Sequence, residues 1–191
     1  MTAASLFART DRELWLLTAA AAGRGGGLIA TFVSQASIVP DLPRVLVGLA
    51  KQHHTHGLVE ASGAFALHLL GEKHLDWVWR FGLCSGRDVD KFDGLAVTAR
   101  ATGSPLLSDA LGWLDCRVEA RLDTGDRTVC LAEVVRSQVG GSAPPLTMSR
   151  MLALAPPDRL KELLEQMTRD VAVDATLIRA WRAGNPRFNQ P

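Results

Sequence analysis

Residues 50–58 read AKQHHTHGL and gather Lys51, His53, His54, Thr55 and His56 into one short stretch. Three chemistries use such residues. A zinc site needs three or four ligands in a workable spacing. His54 and His56 would share a face of an extended segment, yet no nearby cysteine and no H-x-x-x-H pattern completes a set. An exposed polar turn would leave them all to solvent. An anion site would use the start of a short helix near Thr55, running through HGLVEASG after a strand that ends at Ala50. The first N–H groups of a helix lack partners and favour negative charge. Lys51 would add a point charge and the Thr55 hydroxyl a donor.

Other reactive side chains are weaker candidates. Cys84 stands beside Ser85 and Gly86 without a visible base, so it is assigned no catalytic role. His68 lies in an apolar run and reads as a core histidine. Trp77 and Trp79 read as packing residues, and Asp126 as part of a turn.

The elements that would position these residues are mostly strands. LWLLTAAAA (14–22) is helical by propensity and runs into the turn-forming GRGGG (23–27). A hairpin across those glycines would make 14–22 a strand instead. LIATFV (28–33), RVLVGLA (44–50) and AFALHLL (64–70) read as strands, and EKHLDWVWRFGL (72–83) as a helix. In GWLDCRVEARLD (112–123), Leu114, Cys116, Val118, Ala120 and Leu122 alternate with polar residues, which predicts one buried face. TGD (124–126) turns that strand into RTVCLAEVVRSQV (127–139), a long hairpin. PPDRLKELLEQMTRD (156–170) predicts a helix with Leu160, Leu163, Leu164 and Met167 at helical spacing. A second helical piece carries Leu177, Ile178 and Trp181. The chain divides into a β-rich body, residues 1–150, and a C-terminal helical extension, residues 151–191.

Composition narrows the function. The chain has 191 residues, 47% of them hydrophobic, enough for a core. With 21 basic and 20 acidic residues the net charge is +1, which gives no electrostatic argument for nucleic acid or an acidic membrane as partner. No apolar run reaches membrane-spanning length, and the N-terminal charges make a poor signal peptide. Three widely spaced cysteines argue against a disulfide framework and point to the cytoplasm.

The order of several segments resembles the flavin reductase-like, FMN-binding split-barrel family. GLIATFVSQASIVPDLPRV, AKQHHT and SGAFALHLL follow the family's strand-and-loop, A-K-x-S-x-T and SGxFxVNVL segments. FGLCSGRDVDKFDGL, GSPLLSDALGWLDCRV and TGDRTVCLAEVV continue the similarity, so that it covers residues 14–135. The resemblance implies a mainly β fold, a six-stranded Greek-key barrel with short helices, here carrying the C-terminal helical appendage. It also implies a homodimer with flavin near the subunit interface. Carried over by position, Thr31, Phe32, Val33, Ser34 and Gln35 would border the flavin ring. Ala50, Lys51, His54 and Thr55 would line the ribityl phosphate, and Phe81 and Lys91 would close over the cofactor. The implied cofactor is FMN, with FAD as an option and NADH or NADPH as electron donor.

Two departures qualify this. The family's GDH histidine, near flavin and nicotinamide, is Arg127 here. The aromatic segment that often ends the barrel reads PPLTMSRML, and the chain has no tyrosine. The expected function is a flavin reductase passing hydride from NAD(P)H to flavin, with a monooxygenase as a possible partner. Arg127 and the missing aromatics keep two alternatives open: an FMN-binding electron carrier without NAD(P)H activity, and a flavin-free interaction module.

Overall fold

The computed structural model describes residues 3–7, 9–99 and 101–185. The ends of the two expected parts, residues 1–2 and 186–191, lie outside the described residues. After a short helix α1 (Ala3–Phe7) come β1 (Trp15–Ala21), β2 (Arg24–Ala30), β3 (Val33–Gln35), β4 (Arg44–Ala50) and helix α2 (His54–Ser62). Next are β5 (Ala64–Leu69), a single 3-10 turn (Glu72–His74), α3 (Leu75–Leu83), β6 (Val97–Ala99) and β7 (Pro105–Leu107). The long strands β8 (Gly112–Asp123) and β9 (Arg127–Val139) precede α4 (Met148–Leu154) and α5 (Pro157–Ala183).

Seven strands form one antiparallel sheet in the order β2-β1-β5-β8-β9-β4-β3, with β6 and β7 paired separately. The strand count is seven where six was expected. The run expected at 28–33 ends at Ala30, and the chain rejoins the sheet as the three-residue edge β3, Val33 facing Val47.

The helical propensity of residues 14–22 loses to tertiary pairing. Trp15 pairs with Ala30 and Ala21 with Arg24, so this segment is a strand of a tight hairpin. The turn is Ala22–Gly23, both at positive φ. Gly25, Gly26 and Gly27 therefore belong to β2 and not to the turn. Their missing side chains admit neighbours. A Cβ at Gly26 would lie 2.8 Å from Leu58 of α2, and one at Gly27 would lie 2.7 Å from the Phe81 ring of α3. A propensity difference of a few tenths of a kcal/mol per residue cannot compete with that packing.

The expected buried face of β8 is interrupted. Register shifts fall between Asp115 and Cys116 and between Val118 and Ala120. Trp113 and Asp115 are buried beside Cys116, while Ala120 and Leu122 are exposed on the outer half of the hairpin. The Asp115 carboxylate accepts hydrogen bonds from the Thr102 N–H and hydroxyl. The two helical pieces expected after 156 are one 27-residue helix, α5, because no glycine or proline interrupts it beyond its first position.

One core cluster gathers Leu17, Leu28, Val47, Val59, Phe65, Leu67 and Cys130. A second gathers Leu14, Leu16, Val78, Trp79, Phe81 and Met151, which seats α3 and α4 against the sheet. His68 is a core histidine as expected: one ring nitrogen meets Leu16 O at 3.0 Å, and the other accepts from the Leu107 N–H at 3.1 Å. The three cysteines are free thiols. Among the described residues no helix is long and apolar enough to cross a membrane.

Candidate functional site

A cavity of about 520 Å³ opens between β2, the start of α2, α3 and its following loop, and α5. The glycines of β2 make it possible. His54, the first residue of α2, lies between two strips of side-chain-free backbone. A Cβ at Gly26 would be 3.4 Å from its ring, and a Cβ at Gly86 3.2 Å. His54 Nε2 is buried and has no hydrogen-bond partner. Burial is the main cause that lowers the His54 pKa, followed by the charges of Arg24, Arg87 and Lys91. The ring is thus neutral at pH 7 and offers one N–H.

Those three cations meet no carboxylate. Among the described residues neither Arg24 nor Arg87 forms an ion pair, and Arg87 Nη2 donates only weakly to Gln52 O at 3.4 Å. Lys91 is 5% exposed and donates to Gly27 O at 3.0 Å and Phe81 O at 2.9 Å. Burial pulls its pKa down to about 8, with Cys84 opposing. The start of α2 lines the same corner with His53, His54 and the buried Thr55, and no side chain caps it. An unpartnered ring nitrogen, a helix start without a side-chain cap and cations without carboxylates are the chemistry that can take a phosphate-sized anion.

The mouth of the cavity is built differently. Phe32 stacks between two guanidinium groups, Arg12 at 5.1 Å and Arg127 at 5.0 Å from its centroid. Arg127 Nε lies 3.1 Å from Asp126 Oδ2, and its Nη2 donates to Asp174 Oδ2 at 2.7 Å. Burial raises the Asp174 pKa while Arg127 opposes it, and Asp174 Oδ1 is buried without a partner.

The structure brings together Thr31, Phe32, Ala50, His54, Thr55, Phe81, Lys91 and Arg127, all of which line this cavity. Val33, Ser34 and Gln35 do not line it. They run along β4, where Val33 packs on the core, the Ser34 hydroxyl donates to Gln35 O and the Gln35 amide donates to Ser37 O. Lys51 also turns away, its Nζ 2.6 Å from Asp123. His56 Nε2 lies 2.9 Å from the Thr128 hydroxyl. No group of three His, Cys, Asp or Glu among the described residues is arranged to hold a metal ion.

Several lining residues carried no sequence signal of their own. Arg87 sat in a loop read only for its similarity, and Gln166 and Asp170 in a helix assigned to the extension; Arg24, whose charge acts on His54 from outside the lining, sat in an expected glycine turn. The visible clue was composition: GRGGG and CSGR each put an arginine within two residues of glycine, where backbone and cation can approach a ligand together.

These features suit a flavin. The cavity has the volume of a cofactor site, an anion receptor at one end, and apolar walls from Leu28, Trp79 and Phe81. Residues 7–152 match the family model described as "Flavin reductase like domain". The ferric-chelate reductase (NAD(P)H) of Archaeoglobus fulgidus is 32% identical over 143 residues, 74% of this chain and 83% of that protein. The reductase subunit HsaB of a flavin-dependent monooxygenase from Rhodococcus jostii is 35% identical over 53% of this chain and 50% of its own. Two further curated relatives are matched over 58% and 23% of their length. Among solved structures, a homologue of nitrilotriacetate monooxygenase component B from Mycobacterium thermoresistibile superimposes with a TM-score of 0.66 at 27% identity, covering 74% of this chain and 78% of that one. The chain belongs to the flavin reductase-like family.

Proposed function

We propose that the protein is an NAD(P)H:flavin oxidoreductase that holds FMN in this cavity. The observation that carries the proposal is the corner around His54, where a buried unpartnered nitrogen, the α2 N-terminus, Arg87 and Lys91 meet, with the charge of Arg24 also acting on the ring. That corner takes one phosphate monoester, which favours FMN over FAD. When bound, the flavin supplies the redox chemistry, accepting hydride from a nicotinamide and passing electrons on.

The chain's own residues bind, orient and exclude water. His54, Arg87 and the first turn of α2 hold the phosphate. Lys91 fixes β2 to α3 through two carbonyls and would add a positive charge to the flavin site. Backbone groups of Leu28–Ala30 on the edge strand β2 would be available to the ring's polar atoms. Trp79 and Phe81 wall off water.

The proposal extends to organisation. Residues 1–150 act as a Greek-key split-barrel body and 151–191 as a C-terminal extension. Ile38, Val39 and Leu42 on the β3–β4 loop, with Leu46 on β4, expose apolar side chains, which supports a homodimer through that side. The names of the HsaB and component B relatives support a monooxygenase as electron acceptor. A cytoplasmic location fits three unpaired thiols.

A second reading has an observation of its own. Arg127 is already neutralised by two carboxylates, so it cannot receive a dinucleotide phosphate as it stands. That favours an FMN-binding electron carrier without NAD(P)H activity. Titration of the purified protein with FMN and FAD, then with NADH and NADPH under argon, tests both. Tight FMN binding followed by bleaching of the flavin band supports the reductase. Binding without bleaching supports the carrier. No binding of either flavin leaves an interaction module on the same fold.

A further inference from the structure

Helix α5 lies beyond the matched family region, which ends at residue 152, yet it forms a wall of the cavity. Leu163, Gln166, Met167 and Asp170 all face into it. Three polar contacts fasten the helix to the rim. Gln166 Nε2 donates to Gly82 O of α3 at 3.1 Å. Gln52 Nε2, just before α2, donates to Asp170 Oδ1 at 3.1 Å. Arg127 Nη2, at the start of β9, donates to Asp174 Oδ2 at 2.7 Å.

Positions 166, 170 and 174 are four residues apart, so they form one stripe along the helix. The stripe continues to Leu177 and Trp181. A Cβ at Gly125, in the β8–β9 turn, would come within 2.7 Å of Trp181 Cβ. The helix therefore crosses the mouth from α3 to the β8–β9 turn. Its three anchors, Gly82, Gln52 and Arg127, sit on three different elements and all line the cavity themselves. Only Leu163 joins the apolar cluster under α3, and no α5 residue is fully buried. The helix is held by polar fastenings and little core, so its closure is strong enough to delay a ligand and weak enough to open.

We propose that α5 is a strap that retains flavin in the cavity, with Asp174 as the residue that fastens it through Arg127, so that the flavin stays bound between turnovers. Asp174 is a positioning residue that acts through Arg127. The proposal rests on the flavin-binding reading above and adds that the extension controls how long the flavin stays.

The test is the rate of FMN loss from the full-length holoprotein, followed by the rise in flavin fluorescence after dilution. Asp174→Asn is expected to speed FMN release about tenfold and to speed amide exchange along α5. Arg127→Gln is expected to do at least as much, and the double variant no more than Arg127→Gln alone, because the Asp174 contact is already lost there. Asp174→Glu is expected to restore most of the retention. If Asp174→Asn does not fold, Gln166→Ala and Gln52→Ala each remove one fastening and are expected to speed release severalfold. Unchanged release in whichever of these variants fold, with FMN bound in the unsubstituted protein, overturns the strap and leaves the flavin reading intact. An unsubstituted protein that binds no FMN overturns both.

Discussion

The two ends of the cavity hold the same kind of residue in opposite states. Around His54, Arg24, Arg87 and Lys91 stand without a carboxylate. At the mouth, Arg127 is shared by Asp126 and Asp174 and laid against Phe32. Lys91 is buried, and a buried cation without a carboxylate costs free energy until an anion arrives; Arg24 and Arg87 are exposed and stay free to meet one. A cation already matched by two carboxylates is complete, and its role is to hold structure together. A count of arginines near the cavity would treat both ends alike. Their partners separate them.

Lys91 offers the largest effect. Its pKa is about 8 in the fold because of burial, against about 10.4 for a free lysine. Between those values the unfolded chain binds more protons than the folded one, so stability rises with pH across that window. The rise amounts to at most about 3 kcal/mol. Urea unfolding of the apoprotein and of Lys91→Met at pH 7.5 and pH 10 should show it in the former alone. Parallel curves would mean that the cationic end is screened, and the contrast with the mouth would fail.

Next comes the phosphate itself. Arg87→Ala combined with Arg24→Ala should weaken FMN roughly a hundredfold, on the order of two charge-assisted hydrogen bonds. Riboflavin, which lacks the phosphate, should be nearly unaffected. Arg127→Ala should act on both flavins equally. An equal loss for FMN and riboflavin in the Arg24/Arg87 variant would place the phosphate elsewhere.

The pH dependence of binding sharpens the same contrast on a smaller scale. His54 has a lowered pKa in the apoprotein, chiefly from burial. A phosphate beside Nε2 would raise it, so binding takes up a proton and FMN affinity increases severalfold between pH 7.5 and pH 5.5. The slope should vanish in His54→Gln. Isothermal titration at pH 5.5 and pH 7.5 reads it directly.

How far the sequence showed this depends on what each signal rests on. The β8–β9 hairpin was legible because burial of one face writes itself into residue order as alternation, and the strands at 44–50 and 64–70 because each is a short apolar run. The segment 14–22 was ambiguous because alanine satisfies a helix and a packed strand equally. The pairing of Trp15 with Ala30 and Ala21 with Arg24 decides it, and that pairing is not local. The interruption of β8 was invisible for a similar reason: beside the register shift Asp115 is buried and bonds Thr102, thirteen positions away. The helix expected near Thr55 in AKQHHTHGL starts at His54, one residue earlier, and lines the cavity, since a helix start is a local signal. Arg24 and Arg87 reach the same corner from a strand and a loop far apart in sequence. Asp174 meets Arg127 across 47 positions, and no short motif encodes such a meeting.

Lys51 gives the smallest and most discriminating prediction. By position in AKQHHT it is the cation expected on the phosphate. In the fold its ammonium lies 2.6 Å from Asp123 at the surface, with 31% of the side chain exposed. An exposed pair of this kind contributes about 0–1 kcal/mol. Lys51→Ala should therefore lower stability by less than about 1 kcal/mol and leave the ratio of FMN to riboflavin affinity unchanged. The same substitution in the presence of Asp123→Ala should have no further effect on stability. A selective loss of FMN in Lys51→Ala would mean that the lysine swings from Asp123 to the phosphate when flavin binds. The cationic corner would then include a fourth member, recruited from an ion pair. In that case compensation by a carboxylate would mark a cation as held in reserve, and Arg127 at the mouth would have to be reconsidered on the same terms.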